Sequence, residues 1–173
     1  GDYLSVNPQG LVPALVTDDG FVLSQSLAII AWLDETHPVP PLLPADPDER
    51  ARVRSIALAI ACDIHPLNNL RVLNYLSNTL GVTAEQRTGW YRYWIDLGFE
   101  ALEQRLAGDP RTGPFCHGQS PTLADVCLVP QVANARRFHV DLSPYPAILR
   151  IDAACAALPA FADAAPARQP DAE

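Results

Sequence analysis

Two short stretches near the start of the chain contain residue types that could bind a small molecule. Val12-Pro13 places a proline directly before an aliphatic run, and Gln25-Ser26 stands where a second such run passes into a helical pattern. A helix N-terminus has free backbone N–H groups and the positive end of the helix dipole, so it favours an anion. We therefore predict a site built from backbone groups and a helix N-terminus.

Each of these residues also has a simpler interpretation. Pro13 fits the first position of an ordinary strand. Either Ser24 or Ser26 fits the N-cap of the helix that follows, with no ligand involved.

A second group of polar residues surrounds a proline further along the chain. His65, Asn68 and Asn69 flank Pro66, which interrupts a helical pattern because proline lacks an N–H. These side chains fit either a ligand site or the plainer role of satisfying the backbone groups that Pro66 frees. No metal site is expected, because His65 has no other His or Cys at ligand spacing.

All 12 basic residues of the chain are arginines. Most surface arginines are merely solvated, but the planar guanidinium is well suited to binding a carboxylate. From the residues alone, Arg71 and the pair Arg136-Arg137 fit either role.

The composition limits the classes of function. The 173 residues are 49% hydrophobic and 18% charged, with a formal net charge of −8. These values are typical of a globular protein, and an acidic chain without a basic patch is a poor candidate for binding nucleic acid or an anionic membrane. The four cysteines lack metal-ligand spacing, so we expect reduced, mostly buried thiols and a cytoplasmic location.

The residue patterns place these candidates on a hairpin and a set of helices. Aliphatic runs at 11–17 and 21–24 surround Asp18-Asp19-Gly20, which is typical of a hairpin turn. A helix follows to about Thr36, and five prolines between residues 38 and 47 form a stiff connector.

Every pattern after the connector is helical. Thr83-Ala84-Glu85-Gln86 and Thr122-Leu123-Ala124-Asp125 read as capping boxes that begin two of the helices. For Thr122 and Asp125 this structural role is the preferred interpretation.

Several motifs of the chain resemble those of the zeta-class glutathione transferases, the family of maleylacetoacetate and maleylpyruvate isomerases. The resemblance spans nearly the whole chain, and its local matches are residues 7–15, 24–29, 63–70, 121–125 and 137–146. The first two are general to glutathione transferases, whereas the last ones are more particular to the zeta class.

The resemblance implies an α+β fold that is mostly helical. The C-terminal part of a thioredoxin-like domain would be followed by an all-α glutathione transferase C-terminal domain, in a homodimer. The predicted parts are a partial glutathione-binding domain at 1–37, the linker at 38–47, the all-α domain at 48–165 and a tail at 166–173.

The family's first β-α-β unit has no counterpart among these residues. That unit carries the Ser-rich motif that activates the glutathione thiol, so we expect the motif upstream of Gly1 and no catalytic residue in this chain. A start at Gly1 and the absence of methionine are typical of a fragment or a truncated gene product.

The resemblance also assigns roles to individual residues. Glutathione would be the cofactor, and a small carboxylate would be the substrate. The Val12-Pro13 bond would be cis, with the backbone of Val12 pairing to glutathione. The implied glutathione-binding residues are Val12, Pro13, Gln25, Ser26, His65 and Asn69, and the implied substrate-binding residues are Arg137 and Arg71.

The implied activity is glutathione-dependent cis–trans isomerisation of maleylacetoacetate to fumarylacetoacetate. The thiolate would add to a conjugated cis double bond, the resulting single bond would rotate, and elimination would give the trans product. Leu70 favours this substrate over maleylpyruvate, for which an Arg can stand at that position. A glutathione conjugating or dehalogenating transferase and an inactive fragment or binding module are the other candidates.

Overall fold

The structure is a computed structural model that describes residues 2–170 and residue 172. These residues form two compact units, one extending to Leu43 and the other starting at Pro44. In the part of the chain that the structure describes, no helix is long and apolar enough to cross a membrane.

The first unit contains the predicted hairpin and helix. Strand β1 (Ala14–Val16) pairs antiparallel with β2 (Val22–Ser24), and Gly20 adopts the positive φ of +85° that the turn requires. Both strands are shorter than the aliphatic runs that predicted them, and β1 begins only after Pro13, which has no N–H to donate. Helix α1 (Ser26–Thr36) ends where the sequence predicted.

The second unit is helical. Helix α2 (Pro47–Leu58) is followed by a π-helical segment (Ala59–Ile64) and a 3₁₀ turn (His65–Asn68), so the helical pattern is interrupted at Pro66 as predicted. The α-helices are α2 (Pro47–Leu58), α3 (Leu70–Asn78), α4 (Ala84–Gly108), α5 (Leu123–Arg137), α6 (Pro146–Ala156) and α7 (Pro159–Asp163).

Helix α2 begins at Pro47, the last residue of the predicted connector. Asp46 is its N-cap, and the Asp46 carboxylate accepts hydrogen bonds from the backbone N–H groups of Asp48 and Glu49, each at 3.0 Å. Proline suits the first helical position, where its missing N–H costs nothing. Beyond α7, Pro166–Arg168 forms a 3₁₀ turn, and Arg168 pairs with Asp163 at 2.7 Å.

The core of this unit lies between α2, α4, α5 and α6. Helix α2 packs against α5, and α4 and α5 both pack against α6. The side chains that are almost fully buried there are aliphatic or aromatic, and they include Val53, Ile56, Ile64, Ile95, Phe99, Leu102, Leu106, Leu128, Val132, Ile148 and Ile151.

A buried arginine connects helix α2 to the loop that follows α4. Arg52 Nε donates to the Asp109 carboxylate at 2.8 Å, while its two terminal nitrogens donate to the Cys116 carbonyl and the Thr112 hydroxyl, each at 2.8 Å. Each of the three guanidinium nitrogens therefore donates a hydrogen bond to an acceptor.

Both predicted capping boxes are present. In the second, the fully buried carboxylate of Asp125 accepts from the Thr122 N–H at 2.8 Å and from the Cys116 N–H at 2.8 Å. Asp125 thus fixes the start of α5 and the preceding loop, which confirms the structural interpretation of this pair.

Candidate functional site

The loop before β1 presents the backbone of Val12. The Val12-Pro13 bond is cis, as the resemblance implies, and Val12 is 83% exposed. Within residues 2–170, no hydrogen bond engages the N–H or C=O of Val12. These groups are available to an extended peptide ligand.

Asn7 and Tyr3 hold this loop in place. The carbonyl of Leu11, just before Val12, accepts from Asn7 Nδ2 at 2.6 Å and from the Tyr3 hydroxyl at 2.7 Å. Asn7 is buried, and its side-chain oxygen accepts from the Gln9 N–H at 3.1 Å. Asn7 was not among the predicted site residues, although an Asn-Pro pair that begins a turn is a recognisable signal for such side-chain bonding.

The start of α1 differs from the predicted N-cap. Gln25 is the N-cap and Ser26 is the first helical residue, so the prediction that Ser24 or Ser26 caps the helix is wrong. The reason is the backbone of Gln25, which has φ +74°, a region that non-glycine residues rarely adopt. Such backbone outliers concentrate at ligand-binding positions.

Helix α1 leaves backbone donors free at this end. Its first hydrogen bond runs from the Ile29 N–H to the Gln25 carbonyl at 3.0 Å. The N–H groups of residues 26–28 therefore point out of the helix, beside the exposed side chains of Gln25 and Ser26. This arrangement suits a carboxylate.

In the second unit, His65 and Asn69 lie at the two ends of one turn. His65 is exposed, while the Asn69 side chain caps α3 by accepting from the Arg71 N–H at 2.9 Å. Asn68 is buried and donates to the Tyr91 carbonyl at 3.1 Å. Both asparagine side chains thus bond to backbone groups of α3 and α4, and neither of these bonds is to a group that Pro66 frees.

The two arginines at the end of α5 have different surroundings. Arg136 forms an ion pair with Asp152 at 2.6 Å. The Arg137 side chain is exposed, and no acceptor or carboxylate within residues 2–170 engages its guanidinium. Arg71 is likewise exposed without a side-chain partner in the described part of the chain. Arg137 and Arg71 therefore have guanidinium groups available for a carboxylate.

Residues 90–92 of α4 connect the His65–Asn68 turn with the end of α5. Trp90 Nε1 donates to the Leu67 carbonyl at 2.8 Å, next to the bond between Asn68 and Tyr91. The Tyr91 ring stacks on Phe138 with centroids 3.5 Å apart and planes 12° apart. The side chains that bind these two segments therefore come from consecutive residues of one helix.

The Trp and Tyr residues at 90–94 lie in a helical pattern that predicts core or interface packing for them. Tyr91 does pack, since it is 4% exposed. Burial raises the pKa of its phenol, and the nearby positive charge of Arg137 opposes that rise. Arg137 thus lies close enough to Tyr91 to affect its titration, which no sequence pattern indicated.

The cysteines of this chain are poor nucleophiles where their environment is known. Burial raises the pKa of Cys127 to about 11 and that of Cys155 to about 12, so both thiols are protonated at neutral pH. Cys62 is exposed, in contrast to the expectation of mostly buried thiols. In the described part of the chain, no group of His, Cys, Asp and Glu is arranged to hold a metal ion.

Comparisons with known proteins agree with this geometry. Residues 1–36 match the glutathione S-transferase N-terminal domain family, and residues 95–164 match the glutathione S-transferase C-terminal domain family. A maleylpyruvate isomerase from a Ralstonia species is 55% identical over 169 residues, which cover 98% of this chain and 79% of that protein.

Solved structures show the same similarity. The holo structure of a maleylpyruvate isomerase, described as a bacterial zeta-class glutathione S-transferase, has a TM-score of 0.96 and 54% identity, covering 99% of this chain and 80% of that one. A maleylacetoacetate isomerase from Methylobacterium extorquens, solved with malonate and glutathione bound, has a TM-score of 0.96 and 43% identity with the same coverage.

Proposed function

This chain belongs to the zeta-class glutathione transferases, and from that premise we propose that it is a glutathione-dependent isomerase that converts maleylacetoacetate to fumarylacetoacetate. The predicted family membership and α+β fold are confirmed. The observation that carries the proposal is the free guanidinium of Arg137 beside a paired Arg136. One of two adjacent arginines is thereby left to bind a substrate carboxylate.

The residues of the first unit fit glutathione. The unpaired backbone groups of Val12 and the adjoining Pro13 suit the peptide part of the molecule, and the free N–H groups beside Gln25 and Ser26 suit its γ-glutamyl carboxylate. His65 and Asn69 of the second unit are proposed as further glutathione contacts. When bound, glutathione supplies the thiolate that makes rotation about the substrate double bond possible.

The chain's own part in the reaction is to bind and orient. Arg137, with Arg71, would hold the carboxylates of the maleyl acid and so fix the double bond for attack. A guanidinium near the reacting atoms also stabilises negative charge that develops on the substrate. Burial raises the pKa of Cys127 to about 11 and that of Cys155 to about 12, so neither thiol supplies a thiolate of its own at neutral pH.

A maleylpyruvate isomerase is the second candidate, because the Ralstonia relative with 55% identity has that name. Leu70, which is 73% exposed beside Arg71, argues for maleylacetoacetate. Comparing turnover of both maleyl acids by the parent protein and by Leu70→Arg distinguishes them. A shift of preference toward maleylpyruvate in the variant would support the role of this position.

The reaction itself is tested by incubating the protein with maleylacetone, with and without glutathione. We expect the cis isomer to be lost only when glutathione is present, and we expect the amount of glutathione to stay constant. A protein that forms a stable glutathione adduct would instead be a conjugating transferase, and no glutathione-dependent loss of the cis isomer would show that the isomerase assignment is wrong.

We also propose that the protein is a homodimer and acts in the cytoplasm. The dimer is supported by a groove of about 470 Å³ between the π-helical segment and α4, which Cys62, Trp94, Leu97 and Arg105 line. Leu97 is 49% exposed there, and Leu58 is 45% exposed nearby. The cytoplasmic assignment is in keeping with the free cysteines.

A further inference from the structure

Arg92 holds the backbone immediately after Arg137. Its Nε donates to the carbonyl of Phe138 at 2.8 Å, across 46 positions of sequence. Arg92 is half-buried, so this charge-assisted bond is shielded from water and stronger than one on an open surface. The bond joins α4 to the last turn of α5.

The stack of Tyr91 on Phe138 fixes the same residue from a second side. With ring centroids 3.5 Å apart, the Phe138 ring is held by Tyr91 while its carbonyl is held by Arg92. Two consecutive residues of α4 thus restrain both the side chain and the backbone of Phe138.

The turn after Phe138 adds a third restraint. His139 has φ +55°, and the Val140 N–H donates to the Ala135 carbonyl at 3.0 Å while the His139 N–H donates to the Arg136 carbonyl at 3.0 Å. These two bonds form a Schellman motif, which closes the end of α5. The backbone on which Arg137 stands is therefore restrained on its C-terminal side.

The Arg137 side chain, by contrast, has no such restraint of its own, since nothing within residues 2–170 bonds its guanidinium. Its position depends on the backbone that carries it. A displacement of about 1 Å at a binding group can lower activity on the order of a hundredfold.

We propose that Arg92 is a positioning residue for Arg137, which it serves by holding the Phe138 carbonyl and so placing the Arg137 guanidinium where it binds the substrate carboxylate. The proposal rests on the proposed function in its assignment of Arg137 to the substrate. It gives a role in substrate binding to a residue of α4 that would contact neither the substrate nor glutathione.

The test is a double-mutant cycle on the affinity for maleate, a cis-dicarboxylate, titrated without glutathione so that no thiol can add to its double bond. Arg92→Met keeps the aliphatic stem and removes the donor. We expect Arg92→Met to weaken maleate binding about tenfold and Arg137→Ala to weaken it at least as much, in calorimetric titrations. The double variant should bind no more weakly than Arg137→Ala, because Arg92 acts only through Arg137.

Arg150→Ala is the matched control. Arg150 also donates to a backbone carbonyl, that of Gly113 at 2.6 Å, but on a different loop. The Arg150→Ala variant should be somewhat less stable than the parent protein in thermal unfolding, and its affinity for maleate should be unchanged. If Arg92→Met does not fold, Arg92→Lys, which displaces the donor while keeping the charge, is taken through the same cycle.

Several outcomes would overturn the proposal. They are additive effects of Arg92→Met and Arg137→Ala, unchanged maleate affinity in Arg92→Met, and absence of maleate binding by the parent protein. Failure of the proposed function is a separate result, because a protein that binds maleate as the cycle predicts but does not isomerise maleylacetone would contradict the reaction and leave the positioning role intact.

Discussion

Arg136 and Arg137 are adjacent in the chain but differ in what surrounds their charges. Arg136 is neutralised by Asp152 at 2.6 Å, so its guanidinium is committed to joining α5 to α6. Arg137 has no such partner in the described residues, and its positive charge opposes the rise that burial causes in the pKa of Tyr91. A single position along a helix thus separates a structural arginine from one that can bind a ligand.

The carboxyl group of Asp109, also a single residue, makes the stability of the fold depend on pH. Hydrogen bonds from Arg111, and further from Arg52, hold the pKa of this carboxyl well below its ordinary value of 3.8. A folded-state pKa below the unfolded value means that the stabilisation is complete above the unfolded value and is lost as pH falls. We expect the free energy of unfolding in urea to decline below about pH 4.

Asp109→Asn is the corresponding variant. It should be less stable than the parent at neutral pH, because Arg52 loses its charged partner, and its stability should decline less steeply in acid. An identical acid decline in parent and variant would contradict the assignment to Asp109.

At the scale of elements, α4 serves two purposes along its length. Its first turns hold the segments that carry the candidate site, through Trp90, Tyr91 and Arg92. Its later turns pack closely on the π-helical segment, where Gly98 faces Ile64. The second contact fixes the distance between α4 and the segment that leads into the His65–Asn68 turn.

Gly98→Ala tests this close approach. A Cβ at Gly98 would clash with Cγ1 and Cδ1 of the Ile64 side chain, which is 1% exposed and would have to shift. We expect a loss of about 1–3 kcal/mol in the free energy of unfolding, measured with urea.

Gly89→Ala on the same helix is the control for Gly98→Ala. A Cβ at Gly89 meets nothing within 4 Å, so the change should stabilise the protein by up to about 1 kcal/mol through helix propensity. Equal stability of the two variants would contradict the close packing.

Local rules predicted those elements whose signals lie in neighbouring residues. The capping boxes at Thr83 and Thr122 and the turn at Gly20 needed only the residues beside them. The N-cap of α1 was mispredicted because Gln25 adopts a positive φ, which no rule for side-chain capping anticipates. The contact of Arg92 with Phe138 joins positions far apart in sequence, so it required the tertiary structure.

At the scale of the whole molecule, surface properties bear on assembly. A net charge of −8 from a chain without lysine leaves arginine as the basic side chain for any contact. Leu97 is an exposed apolar side chain in the groove beside α4, and Leu58 is exposed in a neighbouring depression. A dimer interface would bury these side chains.

Leu97→Glu tests the proposed dimer. A carboxylate at this position would lie in the interface without a partner, so we expect the mass measured by light scattering to shift from dimer to monomer. Leu80→Glu, at a leucine that is 60% exposed and does not line the groove, should leave the mass unchanged. A monomeric parent protein, or a dimeric Leu97→Glu, would argue against this interface.

Because of the buried guanidinium of Arg52, we expect helix α2 and the loop after α4 to unfold together. Its bonds to Asp109, Thr112 and Cys116 span 57 to 64 positions of sequence, and opening the loop alone would strand a buried charge. The loop therefore lacks a low-energy local opening of its own and shares the protection of the core. In a hydrogen-exchange experiment, the loop after α4 would therefore belong to the same cooperative unit as helix α2, although the loop has no regular secondary structure.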